Sequence, residues 1–173
     1  MSVVDEVIKI LNSMKISAST AESTENSVVT MDAESIETAV SVTNRCLAVG
    51  DDEVLQVIAQ KLGDFVPIIG EGENLAQVVA ILEKMLYKIE EILVAKSISA
   101  SFVTIIPHLS PNLACNCATN LVRTLVAEDL YCSCKKVLPE MMVALYPHVN
   151  AKLQQDLRFR FMQYADYEEE VPI

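Results

Sequence analysis

Residues 90–111 read EEILVAKSISASFVTIIPHLSP, from Glu90 to Pro111, and carry the punctuation of a whole structural unit. Two carboxylates open it, Ile98, Phe102 and Ile106 follow at intervals of four, Pro107 closes it, and Ser110-Pro111 begins the next segment. Apolar residues at that spacing share one face of an α-helix. Proline has no N–H with which to continue a helix and disfavours helical geometry in the residue before it, so Pro107 predicts a stop or a terminal kink. Ser110 is a good N-cap, and Pro111 suits the first helical position.

Working outward, the same pattern recurs along the chain with a period of 39 to 40. Pro67, Pro107 and Pro147 are 40 apart. The segment ahead of each proline aligns Ile58, Ile98 and Val137 in one column, Leu62, Phe102 and Met141 in the next, and Val66, Ile106 and Leu145 in a third. Steps of 39 from Asn12 land on Asp51, Glu90, Asp129 and Glu168, and Val54, Leu93, Cys132 and Val171 stand three positions after the last four of these. The segment before each such position repeats as well: Ile36, Leu75, Ala114 and Leu153; Val40, Val79, Ala118 and Leu157; Leu47, Leu86, Leu125 and Tyr164.

A repeat of this length, built from two helices and a turn, predicts an all-α chain in which helix pairs stack as an α-α superhelix of about four units, each unit burying its apolar face against the next. Helices are expected near 3–14, 33–49, 52–67, 74–88, 91–107, 111–127, 131–146 and 149–165, in one domain spanning 1–173 with units at about 1–30, 33–68, 74–108, 111–147 and a partial one at 149–173. Residues 17–30, SASTAESTENSVVT, stand where the first unit's second helix belongs but are rich in Ser and Thr, so that unit reads as degenerate. Pro139 falls inside the last second helix and predicts a kink or a late start there.

Composition agrees and narrows the function classes. Apolar residues make up 51% of the 173, with 4 Gly and no Trp, which disfavours a turn-rich β fold or a glycine-rich phosphate loop. A formal charge of −11 opposes binding to nucleic acid or anionic membranes and favours basic or amphipathic protein partners. The N-terminus, MSVVDEVIKI, lacks the features of a secretory signal, and no run approaches the roughly 18 apolar residues of a membrane span, so a cytoplasmic protein is expected, with the nucleus also open to it.

Five cysteines lie in helical patterns and read as reduced, packed thiols. Cys115 with Cys117 and Cys132 with Cys134 raise a four-thiolate zinc site, but residues two apart on a helix point about 200° around its axis, so neither pair aims both thiolates at one ion. His108 and His148 each follow a helix-ending proline, where a donor near the last carbonyls is stabilising. No nucleophile elbow, phosphate loop or H-E-x-x-H motif occurs, and neither an enzyme nor a cofactor is expected.

A helix–turn–helix unit with an acidic turn and a basic residue shortly after it, as in Asp129 with Lys135 and Glu90 with Lys96, resembles the HEAT repeat. The likeness narrows at DDEVLQVIAQKLGDFVPIIG (51–70), which is similar to the second repeat of the scaffolding (A, regulatory-type) subunit of type 2A serine/threonine protein phosphatases. It continues through ILEKMLYKIEEILVAKSI (81–98), LVRTLVAEDLYCSCKK (121–136) and ALYPHVNAKLQQDLRFRF (144–161), covering the chain from about position 34 onward.

The resemblance implies a non-catalytic scaffold whose inter-helix turns form a ridge that holds an interchangeable phosphatase regulatory subunit, the catalytic subunit's site lying in late repeats absent from this chain. Carried over, the partner-contacting turns are Asp51, Asp52 and Glu53; Glu90 and Glu91; and Asp129, Leu130 and Tyr131. The third departs from the family, which has an aromatic pair after the aspartate. From the residues alone, these carboxylates are N-caps of the second helices, or caps and partner contacts together, and the two roles are compatible. A second functional reading is a generic HEAT-repeat adaptor unrelated to phosphatase assembly. The tail DYEEEVPI (166–173) reads as a recognition tail or as the turn of a fifth unit cut short. In the latter case Leu153, Leu157, Phe161 and Tyr164 lack a covering helix, and that end is frayed, self-associated or filled by further repeats.

Overall fold

A computed structural model describes residues 33–64, 73–126 and 132–168, and these form α-helices and 3-10 turns with no strand among them. The helices are α1 (Ala33–Val49), α2 (Asp52–Asp64), α3 (Glu73–Leu86), α4 (Ile92–Ile105), α5 (Pro111–Val126), α6 (Cys132–Leu145) and α7 (Ala151–Glu168). The chain is all-α over the described residues, and no helix there is long and apolar enough to cross a membrane. The expected helix at 3–14, the degenerate segment 17–30, Pro67 and the tail beyond Glu168 lie outside the described residues.

Local chemistry sets the helix ends. Gly50 adopts φ 72°, which a residue with a side chain rarely does, and its N–H donates to the Cys46 carbonyl at 3.0 Å to close α1. The backbone N–H of Leu113 donates to Ser110 Oγ at 3.3 Å, and that of Leu153 to Asn150 Oδ1 at 3.0 Å, so α5 and α7 start on equivalent side-chain caps. Pro107 and Pro147 do not end their segments in coil. Each sits in a single 3-10 turn, Ile106–His108 and Tyr146–His148, at a position whose missing N–H costs no hydrogen bond. His108 and His148 are the last residues of those turns. Helix α6 runs unbroken through Pro139 from Cys132, so the late start is not seen.

Three hairpins, α1–α2, α3–α4 and α5–α6, pack side by side, and α7 packs along α5. Helix α2 lies along α4 and α4 along α6, while α1 lies along α3. Side-chain bonds between like helices join residues at nearly constant separation: Lys84 to Asn44 (40), Gln60 to Ser97 (37), Ser101 to Ala59 (42), Ser99 to Glu140 (41), Asn120 to Glu83 (37) and Tyr87 to Thr124 (37). All lie close to the repeat length, and from α3 to α5 the same offset of 37 holds at Glu83–Asn120 and, one turn on, at Tyr87–Thr124, as for helices that run parallel.

The core follows from this. Leu55, Ile58 and Leu62 of α2, Leu75, Leu82 and Met85 of α3, Ile98, Phe102 and Ile105 of α4, and Leu138, Met141 and Leu145 of α6 are buried in one continuous cluster. Cys134 is buried with its sulfur 2.8 Å from the Leu86 carbonyl and 3.1 Å from the Ile89 carbonyl, so its one S–H is shared between them at the end of α3 and the turn after it. Cys46, Cys115, Cys117 and Cys134 are free thiols.

The register of the last unit is corrected by one position. Helix starts, 3-10 turns and caps recur at an offset of 40 between α4 and α6 and between α5 and α7. Ile98 and Phe102 therefore match Leu138 and Met142, and Cys117 rather than Ala118 matches Leu157. Val137 and Met141, placed in those columns by the sequence, are buried regardless, because α6 is covered on more than one side. Leu93, three positions after Glu90, is 54% exposed, while Val54, three positions after Asp51, is buried. Glu168 closes α7 as its last residue rather than standing in a turn.

The contact between α2 and α4 is close. Ser101 Oγ donates to the Ala59 carbonyl at 2.5 Å, and a Cβ added to Gly63 would stand 2.6 Å from Ser101 Oγ and 3.1 Å from its Cα. Gly63→Ala should destabilise the chain by about 1–3 kcal/mol in urea unfolding, since part of the clash is with backbone. Adding Ser101→Ala should recover only a fraction of the loss, because the Ser101 Cα stays in the way.

Candidate partner-binding turns

Helices α2 and α4 begin at the same end of a parallel pair, so the turns leading into them lie side by side on one edge. At the first, Asp51 accepts the Val54 N–H on Oδ1 at 3.2 Å, while its carbonyl accepts the Leu55 N–H at 3.0 Å. At the second, Glu91 plays the same part: its Oε1 accepts the Leu93 N–H at 3.3 Å and its carbonyl the Ala95 N–H at 3.1 Å. The structural equivalent of Asp51 is thus Glu91 and not Glu90. Capping occupies one carboxylate at each turn.

The others are uncommitted to caps. Asp52, Glu53 and Glu90 are exposed, and Asp52 and Glu53 occupy the first turn of α2, where the helix dipole favours negative charge. The only ion pair among the described residues is Lys61 with Asp64 at 3.3 Å, at the far end of α2. The edge therefore presents five carboxylates without a neutralising partner within salt-bridge distance among the described residues. Asp129, Leu130 and Tyr131 lie outside the described residues.

The chemistry available elsewhere is limited. No group of three or more His, Cys, Asp or Glu among the described residues is placed to hold a metal ion. Among the described carboxylates, Glu83 on α3, where it faces α5, is shifted. Burial raises its pKa above the ordinary carboxylate range, and the opposing contacts from Asn120 and the Cys117 thiol do not cancel that effect. Asn120 Nδ2 donates to Oε2 at 3.1 Å, while Oε1 is enclosed without a hydrogen-bond partner. The same burial, with the Glu83 charge beside it, pushes the Cys117 thiol up to about 12 and leaves it un-ionised at neutral pH. This cluster reads as a packed seam and not as a nucleophile with its base.

At the end of the chain, Leu157 is buried although the sequence left it without cover, Leu153 and Tyr164 are half-buried, and Phe161 is exposed. Sequence reasoning missed that α6 and the turn after it contribute to this end through Met142, Val143 and Tyr146. Aligning the last unit at the offset of the caps, one greater than the offset of the acidic positions, reveals it. No family model matches the chain, and no curated protein matches its sequence.

Asp51→Ala should cost about 0.5–2 kcal/mol of stability, as expected for loss of an N-cap, whereas Glu90→Ala should change the urea midpoint little. Glu83 makes a separate prediction. Its raised folded-state pKa means that, above the ordinary carboxylate range, the folded chain holds a proton the unfolded chain has released. Its contribution to stability is then complete at acid pH and is lost as pH rises through the folded-state value. Glu83→Gln should therefore raise the melting temperature at neutral pH and flatten the decline in stability above the ordinary carboxylate range.

Proposed function

We propose that this chain is a non-catalytic scaffold: a HEAT/armadillo-type superhelix that resembles the N-terminal repeats of the type 2A phosphatase scaffolding subunit and binds a phosphatase regulatory subunit along its inter-helix turns. The observation that carries the reading is the alignment of Asp51, Asp52 and Glu53 with Glu90 and Glu91 on one edge of parallel, in-register helices, where Asp52, Glu53 and Glu90 have no part in capping. Carboxylates left in water at regular intervals steer a basic partner toward one orientation. The stack supplies spacing, and the turns supply contact. Bond-making chemistry has no part in this role.

Reversing Glu90 and Glu91 to lysine in the full chain and measuring affinity for purified phosphatase regulatory subunits tests the proposal. Binding should weaken by about tenfold or more, chiefly through a slower and less salt-sensitive association; loss of the Glu91 cap should also lower the melting temperature, whereas Glu90→Lys alone, which leaves the cap in place, should weaken binding with the melt little changed. Unchanged affinity would favour the generic adaptor, and absence of any binding by the unaltered chain would remove the phosphatase reading.

A further inference from the structure

The second and third hairpins meet differently on their two sides. In the row α1–α3–α5–α7, α1 lies closely along α3 and α5 along α7, whereas α3 and α5 approach one another less. Two side-chain arms one turn apart span that seam, Glu83 with Asn120 and Tyr87 with Thr124. In the other row α4 packs closely along α6, and Ser99 Oγ donates to Glu140 at 3.0 Å. A joint that is tight on one side and bridged on the other is laid out as a hinge, with its axis along the α4–α6 contact.

Glu83 sits at the closing edge of this hinge. Its Oε2 accepts from Asn120 Nδ2 at 3.1 Å, and its Oε1 is enclosed with no donor among the described residues. Beside it stands Cys117, 1% exposed, whose thiol is pushed up to about 12 and so stays neutral while Glu83 titrates. The charges on the neighbouring elements are directed elsewhere. Arg45 of α1 acts on Cys46, Lys61 of α2 pairs with Asp64, Lys96 of α4 and Arg123 of α5 are exposed, and Lys84 of α3 reaches Asn44. A carboxyl enclosed with one good donor is favoured as the neutral acid, whereas in water it ionises in the ordinary carboxylate range. Wetting Oε1 by opening the seam therefore releases a proton.

We propose that the α3–α5 seam is a proton-linked hinge of the stack, closed while Glu83 holds its proton and opening about the α4–α6 contact as that proton passes to water. The hinge divides the chain between its second and third hairpins, so acidity sets how the turns at Asp51 and Glu91 are held relative to α5–α7. It is a property of the fold and holds whether or not those turns bind a regulatory subunit. Because one proton leaves on opening, the opening equilibrium rises above the ordinary carboxylate range by at most about tenfold per pH unit, and it levels off once pH passes the closed-state value.

Cys117 reports on the seam, and Cys134, 0% exposed in α6, reports on the other side of the joint. In the full chain, alkylation of both is followed by peptide mass spectrometry from about pH 5 to about pH 8, each rate divided by that of free glutathione to remove thiol ionisation. Cys117 should react at least about tenfold faster than Cys134, as expected where a local opening precedes unfolding of the whole. Its normalised rate should climb with pH and then level off, and in Glu83→Gln it should stay flat. Tyr87→Phe, which removes the second arm at an exposed position, should speed Cys117 at every pH. A flat Cys117 rate in the natural chain overturns the proposal whether or not Glu83→Gln folds. Equal rates at Cys117 and Cys134, which mean that both are reached by unfolding of the whole chain, overturn it too, as does an undiminished climb in Glu83→Gln or an unchanged rate in Tyr87→Phe.

Discussion

The approach of α4 to α2 sets the geometry on which the remaining helices depend. Ser97, Ser99 and Ser101 are all buried on α4, and each hydroxyl is bonded: Ser97 to the Leu93 carbonyl and Gln60, Ser99 to Glu140, Ser101 to the Ala59 carbonyl. Apolar contact alone would let two parallel helices slide by a turn at small cost, since it is non-directional. A buried hydroxyl that must keep its acceptor forbids the slide, because a displaced donor would be left unsatisfied at about 1–3 kcal/mol. Gly63 makes the approach possible by presenting no side chain where Ser101 stands. The serines therefore fix register in both directions, toward α2 through Ser101 and toward α6 through Ser99. The alignment of the turn edge follows from that register.

The other row is joined by different chemistry. Lys84 reaches Asn44 at 2.6 Å, Glu83 meets Asn120, and Tyr87 meets Thr124. These are long side chains bridging α1, α3 and α5, in place of small residues that let backbones touch. Each helix pair is thus held closely on the α2–α4–α6 side and through polar arms on the other. The enclosed oxygen of Glu83 belongs to this second side, where the packing leaves a carboxylate poorly compensated. Such a group lowers stability at neutral pH, yet apolar residues of similar size would remove the partner that orients Asn120.

The helices are legible in the sequence because their punctuation is local. Gly50, Ser110, Asn150 and the prolines act through their own backbone, so their positions translate directly into helix ends. Each expected helix that falls among the described residues begins no more than two positions from its observed start. The register within the last unit is not legible to the same degree. Both Val137 and Leu138 are apolar, as are Met141 and Met142, and a helix buried on two sides offers no polar face to say which column a residue belongs to. Only the caps settle it, since Ser110 and Asn150 bond the N–H three positions on in the same way. The turn carboxylates are legible as a group but not in their division of labour. Whether Glu90 or Glu91 caps α4 depends on backbone angles, with Glu91 at φ −79° and ψ 125°, that neighbouring glutamates do not declare in sequence.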